Sequence, residues 1–285
     1  MPPPHRPLSG PLPPGQTLTY VFAVTGTPLP ADLPAATAGH EEGGPLRVLR
    51  AGPLWLLAQD VPESAFAETA LADRLNRPEE LERCARAHHR GVQAAARQGP
   101  VVPLPMATLY RGDANAVQAV TARAPVLGAL LDRLRDRTEW AVKVHLAPPA
   151  PAPDRPSSAG RDASPAGGRA YLSRASARRH TRQQAHEEAW AEAMEVDTEL
   201  RRHAVAATRH QPQSEQLTGR PTPQLLNAAY LVDDTAREDF ARVLAHATTA
   251  GRHPHVEITA SGPWIPYSFA RPDQDRADAT QQVPA

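Results

Sequence analysis

The chain has 285 residues, of which 41% are hydrophobic and 22% charged, and its 31 basic and 31 acidic residues leave a formal net charge of zero. That length predicts about two domains and a core that needs no disulfide or metal staple. Neutrality argues against a general electrostatic nucleic-acid binder, and the single cysteine, Cys84, excludes an internal disulfide and a cysteine-based zinc site.

No stretch approaches the roughly 20 apolar residues that a membrane-spanning helix needs. Met1–Gly15 holds seven prolines, too many for a signal-peptide core, so a soluble cytoplasmic protein is expected. Residues 1–16 are expected to form a disordered, proline-rich tail.

The first strand is predicted over Thr17–Val24, with Leu18, Tyr20 and Phe22 at period two. Leu46–Ala51 and Leu54–Asp60 read as a hairpin across Gly52-Pro53, the second strand apolar enough to be central. Pro78–Gln98 reads as a helix that starts on proline and three glutamates and stops at Gly99-Pro100. Its buried face is expected to be Leu81, Ala85, His88, Val92 and Ala95. Val101–Tyr110 is apolar and extended, and its prolines at 103 and 105 suit an edge or irregular strand. Asp113–Arg135 is helical with a break at Pro125.

Glu139–Leu146 alternates cleanly, Trp140, Val142, Val144 and Leu146 facing one way and Glu139, Lys143 and His145 the other. Residues 147–168 are Pro, Ala, Ser and Gly without periodicity and read as a disordered insert. A long charged helix follows from Ser173 to about Leu200, with Ala185, Ala189, Ala193, Val196 and Leu200 as a narrow apolar stripe. Arg202–Arg209 and Leu225–Val232 read as strands. Thr235–Ala250 reads as a helix opened by a capping box, Thr235 with Glu238. His255–Ala260 is the last strand, and 271–285 a polar tail.

These elements predict an α+β fold of two domains. Residues 17–136 form a smaller mixed α+β sheet domain. Residues 137–270 form a βαββαβ, ferredoxin-like domain with the long insert after its first strand. Either sheet could take Glu139–Leu146; it is assigned to the second because it completes that order.

No catalytic or cofactor motif survives inspection. His186-Glu187 opens like a zincin helix, but Trp190 stands where the second histidine belongs. Adjacent His88 and His89 point to different helix faces, and His88 reads as a hydrogen-bonded core residue. His253 and His255 lack a third ligand. No phosphate-binding glycine loop and no nucleophile elbow occur, and Cys84 reads as a small buried apolar residue. Arg174, Arg178, Arg179 and Arg182 make a basic patch, but six acidic residues follow between Glu187 and Glu199. The helix is therefore charge-segregated rather than basic. An RNA-binding ferredoxin-like module is the alternative reading, yet the candidate strands carry one aromatic, Tyr230, where such a sheet stacks bases on several. An enzyme with an unrecognised histidine site is a third.

The run from Gly262 to Phe269 is the most distinctive feature. Its aromatics are expected to close the second domain, with Trp264 and Phe269 covering the sheet. Exposed aromatics also anchor interfaces, so Tyr230, Trp264, Tyr267 and Phe269 are the candidate partner contacts.

Six blocks together resemble the gas vesicle protein F/L family (GvpF/GvpL). They are TYVFAVTG, GPVVPLPMATLYRG, TEWAVKVHL, GRAYLSR, LTGRPTPQLLNAAYLVD and ITASGPWIPYSFA, in order from Tyr20 to Ala270. Pro103–Thr108 departs from the family's PLRFGT-like block, lacking its aromatic and glycine, and the insert and proline-rich start are extra. The resemblance implies a non-enzymatic accessory or minor structural protein of gas vesicles, without cofactor or metal. Its implied partners are the small hydrophobic shell protein, whose nucleation and assembly it would assist, and other accessory proteins. No nucleic acid or membrane span is implied, and the implied location is the cytoplasmic gas vesicle.

Overall fold

The computed structural model describes residues 17–148, 166–212 and 222–271. The expected N-terminal tail, most of the insert and the polar tail lie outside the described residues. Two antiparallel sheets organise the chain, each in its own compact unit. Of the described residues, 17–136 and 265–271 form the first unit, and those between 137 and 264 the second.

In the first unit, β1 (Thr17–Thr25) lies between β3 (Leu54–Pro62) and the short strand β4 (Val101–Pro103), and β2 (Leu46–Ala51) flanks β3. The pair β5 (Leu109–Tyr110) adds to β1. The β2–β3 hairpin closes at Gly52, whose φ of +62° suits glycine in a two-residue turn. Short helices α1 (Leu33–Ala36), α2 (Glu63–Phe66) and α3 (Glu68–Leu75) lead to α4 (Pro78–Ala96). Every β1 side chain from Leu18 to Thr25 is buried, because both sheet faces are covered. Leu18, Tyr20 and Phe22 join Val92 and Ala95 of α4 in one core. On the opposite face, Thr19 and Arg47 bond Asp113 at the start of α5 (Asp113–Ala122), and α6 (Ala124–Leu134) follows. The break between those helices falls at Arg123, with Pro125 in the first turn of α6, as the sequence predicts.

Helix α4 buries His88, Val92 and Ala95 as the sequence suggests, but its inward face is rotated away from Leu81 and Ala85 toward Cys84, Ala87 and Gly91. Leu81 is 40% exposed and Ala85 is exposed, while Cys84, Ala87, His88, Gly91, Val92 and Ala95 are buried. Gly91 sets this rotation: a Cβ there would stand 2.5 Å from Cδ1 of Phe22, so the ring packs directly on the helix backbone.

The second unit runs β6 (Arg137–Leu146), α7 (Ala166–Arg201), β7 (Ala206–Arg209), β8 (Gln224–Asp233), a 3-10 turn, α8 (Arg237–Ala247) and β9 (Val256–Trp264). The strand order is β7-β8-β6-β9, antiparallel throughout. Val142 and Val144 of β6 meet Ala189, Ala193, Val196 and Leu200 of α7 and Phe240 and Leu244 of α8 in a single core. Period-two alternation on the strands and a narrow small-residue stripe on α7 are what bring helix and sheet this close.

Several boundaries differ from the sequence reading, and α7 begins at Ala166, inside the expected insert and before Ser173. The expected strand over Arg202–Arg209 begins only at Ala206, because Arg202, His203 and Ala204 bond back to Glu199, Leu200 and Arg201 and close the helix. The Thr235 capping box does not form; Asp234–Ala236 is a 3-10 turn clamped by the Asp234–Arg237 ion pair, and Ala236 becomes the N-cap. The last strand continues past Ala260 to Trp264, and a Cβ at Gly262 (φ +149°) would lie 2.9 Å from the Glu139 carbonyl oxygen. Finally, Ile265 and Tyr267 pack on the first unit's core, so the second unit ends at Trp264 and not at residue 270. The expected cover of the second sheet by Trp264 and Phe269 is not seen: Trp264 is 48% exposed, and Phe269 belongs with the first unit.

Gly91→Val is expected to lower stability by about 1–3 kcal/mol through overpacking against Phe22. The helix-propensity gain of less than about 1 kcal/mol is too small to reverse that sign. Urea unfolding of both proteins checks this; an unchanged or raised midpoint contradicts the packing account.

Candidate functional site

Of the four aromatic contact candidates, the structure leaves two at the surface. Tyr230 is 0% exposed and Phe269 3% exposed, so both are packing residues. Trp264 is the exposed member, at the end of β9, with its indole Nε1 donating to Ser261 Oγ over 3.1 Å. Tyr267 is half-buried; its hydroxyl lies 3.2 Å from His89 Nδ1 in the first unit. Trp264 and Tyr267 fall in different units.

Tyr230 is held inside the second unit by a polar network that no local sequence pattern announces. Its hydroxyl donates to Asp197 Oδ1 over 2.5 Å. Arg201 Nε donates to the other carboxylate oxygen over 2.9 Å, and Arg209 Nη2 over 2.5 Å. Asp197 is 1% exposed. Burial alone would raise its pKa, but the bonds from Tyr230, Arg209 and Arg201 outweigh burial and hold the carboxyl below its usual range. Tyr230 is pushed the other way, by burial first and then by the adjacent carboxylate. The charge is thus ionised, paired and hydrogen-bonded, as a buried carboxylate must be.

The first unit holds its own buried polar group. Tyr20 accepts a bond from the Ala107 amide at 3.1 Å, and its hydroxyl sits 2.9 Å from His88 Nδ1. His40 stacks beside Tyr20 and Phe22, and its main chain is held by Gln59, whose amide also reaches the Gly44 carbonyl. Burial lowers both His40 and His88 to about 4, so both are neutral near pH 7. His88 is therefore the hydrogen-bonded core histidine that the sequence predicts. Beside it opens a groove of about 510 Å³, walled by His89, Pro103, Pro105, Met106 and Tyr267. Cys84 is buried, and burial raises its thiol further. That is the opposite of nucleophile activation.

The remaining histidine candidates are engaged in ion pairs or lack metal geometry. His255 lies 2.7 Å from Glu192 and 3.1 Å from Glu188, and the Glu192 bond raises its pKa. No group of three or more His, Cys, Asp or Glu that could hold a metal ion occurs among the described residues. No helix among them is long and apolar enough to cross a membrane. Arg179 and Arg182 are exposed on α7, as expected for a solvated face.

Tyr230→Phe is expected to cost about 1.5–3 kcal/mol, the range for a bond to a charged group. Trp264→Ala, at an exposed site, should change stability by less than about 0.5 kcal/mol. Chemical denaturation of the two variants checks the contrast; equal effects would contradict it. For the histidines, proton NMR should show His40 and His88 titrating near 4, well below the ordinary 6.5. Because the unfolded chain then binds more protons, each removes about 1.4 kcal/mol of stability per pH unit as pH falls from 6.5 toward 4. Midpoints near 6.5 for both would contradict their burial in neutral form.

A sequence profile of the gas vesicle synthesis protein GvpL/GvpF family matches residues 18–271. Gas vesicle protein L of Streptomyces sp. (strain CB03234) is 36% identical over 268 residues, covering 93% of this chain and 97% of that protein. Among solved structures, the gas vesicle protein GvpF of Anabaena sp. PCC7120 superposes with a TM-score of 0.61 at 15% identity, covering 90% of this chain and 97% of that one. GvpF of Microcystis aeruginosa gives 0.57 at 15% identity, covering 90% and 99%.

Proposed function

This chain belongs to the gas vesicle GvpL/GvpF family, and from that premise we propose that it is an assembly protein that binds the small hydrophobic shell protein of the vesicle. Its place in the family gives it a gas vesicle role. The finer reading is that it holds the shell protein during nucleation, limits its aggregation, and works without cofactor or catalysis on the cytoplasmic side of the growing vesicle.

The observation that carries this reading is the free end of β9. Among the described residues, β9 lies at the edge of its sheet, paired with β6 on one side only. Its sequence, VEITASGPW, has one charge, and Trp264 closes it at 48% exposure. An edge strand offers backbone donors and acceptors to another extended chain. An exposed tryptophan beside it supplies the apolar anchor that such pairing needs for affinity. A shell subunit whose apolar face must stay covered before assembly is a fitting occupant. Tyr267 marks the corresponding candidate on the first unit. We read the two units as domains, 17–136 and 137–264, with Ile265–Ala270 returning to the first. The strand order β7-β8-β6-β9 supports a ferredoxin-like fold for the second.

Co-expression with the small shell protein, followed by affinity capture of this chain, tests the proposal. Soluble shell protein should co-purify, and Trp264→Ala should weaken capture by roughly tenfold or more. Capture no better than that by an unrelated protein of similar size and charge would refute it.

A further inference from the structure

The phase of the bonding between β9 and β6 decides which main-chain groups of β9 face its open side. In an antiparallel pair every second residue exchanges its main-chain bonds with the strand opposite, and the residues between turn theirs the other way. Two bonds set the phase here. The Ala147 amide donates to the His255 carbonyl over 2.9 Å, so 147 and 255 face each other. Leu146, one residue back, sends its amide the other way, to the Pro223 carbonyl over 3.0 Å, as the alternation requires. The register then runs without a shift from Leu146 opposite Val256 to Ala141 opposite Ser261. Glu257, Thr259 and Ser261 therefore bond His145, Lys143 and Ala141. Ile258 and Ala260 turn their N–H and C=O to the open edge.

This open stretch is bounded at both ends. Toward Trp264 the register slips between Glu139 and Ala141, and Pro263 has no N–H to give. At the start, the His255 amide is taken by Glu192 Oε2 over 3.0 Å and the Val256 amide by the His253 carbonyl over 3.4 Å. What remains is 257–261, about 17 Å of strand. Ala260 and Ser261 are exposed there, and Ile258 and Thr259 half-buried. After Glu257, β9 carries no charge. The opposite edge of the sheet is guarded differently: β7 has four residues and ends on Arg209, whose guanidinium reaches Asp197. Short strands and charged side chains are what keep an edge from pairing.

Side-chain direction narrows the partner. Val256 and Ile258 face the second core, so Glu257, Thr259 and Ser261 face the other side of the sheet. A strand laid alongside matches these faces when it is apolar beside Ile258 and Ala260 and polar beside Thr259 and Ser261.

We propose that the partner adds a strand to this edge: an extended segment of about five residues, apolar at every second position, bonded through the main chain to Ile258 and Ala260. Trp264, beyond the end of the paired stretch, supplies the side-chain anchor. The inference rests on the shell-binding reading and specifies what is held, an alternating extended stretch of the shell protein and not a helix face.

Amide exchange and capture test it together. In the free chain the amides of Ile258 and Ala260 should exchange at least about tenfold faster than those of Thr259 and Ser261. Equal protection would overturn the phase. Capture of co-expressed shell protein then compares two variants at one exposed position. Ala260→Val keeps the amide and should capture like the parent. Ala260→Pro removes the amide and puts a ring in the path of an added strand, so capture should fall at least about tenfold. Both variants should melt close to the parent, whereas Thr259→Pro, which breaks a bond to β6, should melt well below it. Early melting of Ala260→Pro would place its amide in the β6 ladder and overturn the phase. Capture by Ala260→Pro at the parent's level would overturn strand addition and leave shell binding through Trp264 standing. An equal loss with Ala260→Val would also overturn it, because the main chain is then not what is read. A parent that captures no shell protein would remove the shell-binding reading and this inference with it.

Discussion

The Asp197 carboxylate fixes the second unit. It is the charged residue on the buried side of α7, and it is satisfied by a tyrosine hydroxyl from β8, a guanidinium one helical turn away and another from β7. Leaving such a charge unpaired in the interior would cost several kcal/mol, so α7, β7 and β8 are held in one relative position. The small-residue stripe on α7 makes the approach to the sheet possible; the carboxylate selects the register at which it happens.

The first unit meets the same need for buried polarity with neutral groups. Tyr20, His40, His88 and Gln59 sit among Phe22 and Phe66; Tyr20 meets His88, and Tyr20 and Gln59 also bond main-chain atoms of loops. Arg47 and Arg74 sit nearer the surface, where each bridges two carboxylates. The polar groups are thereby committed to structure. What the surface offers in return is an edge strand, the exposed tryptophans Trp190 and Trp264, and a charge-sorted helix. Membership of the GvpL/GvpF family gives those features their setting.

Local pattern made much of this legible. The alternation in β6, the Gly52 turn, the Pro125 break and the α7 stripe each follow from a period or a backbone preference within a few residues. The misreadings share one cause, which is a distant contact. The inward face of α4 is set by Phe22, far away in sequence, meeting Gly91. Asp197 finds Tyr230 across 33 residues, so neither looked like part of a network, and Tyr230 was free to be read as a surface aromatic. The Thr235 box is the local exception: Asp234–Ala236 forms a 3-10 turn bridged by Asp234 and Arg237 instead. The aromatic run after Gly262 was recognisable as distinctive, yet its division between the two units depends on Ile265 and Tyr267 finding the first core.

The most direct test of the account is light scattering from purified shell protein diluted from denaturant, with and without this chain. The account predicts that the intact chain delays aggregation in proportion to its concentration, and that the Trp264→Ala variant, equally stable, delays it much less. Aggregation at the same rate as with an inert protein of matching size and charge would contradict it.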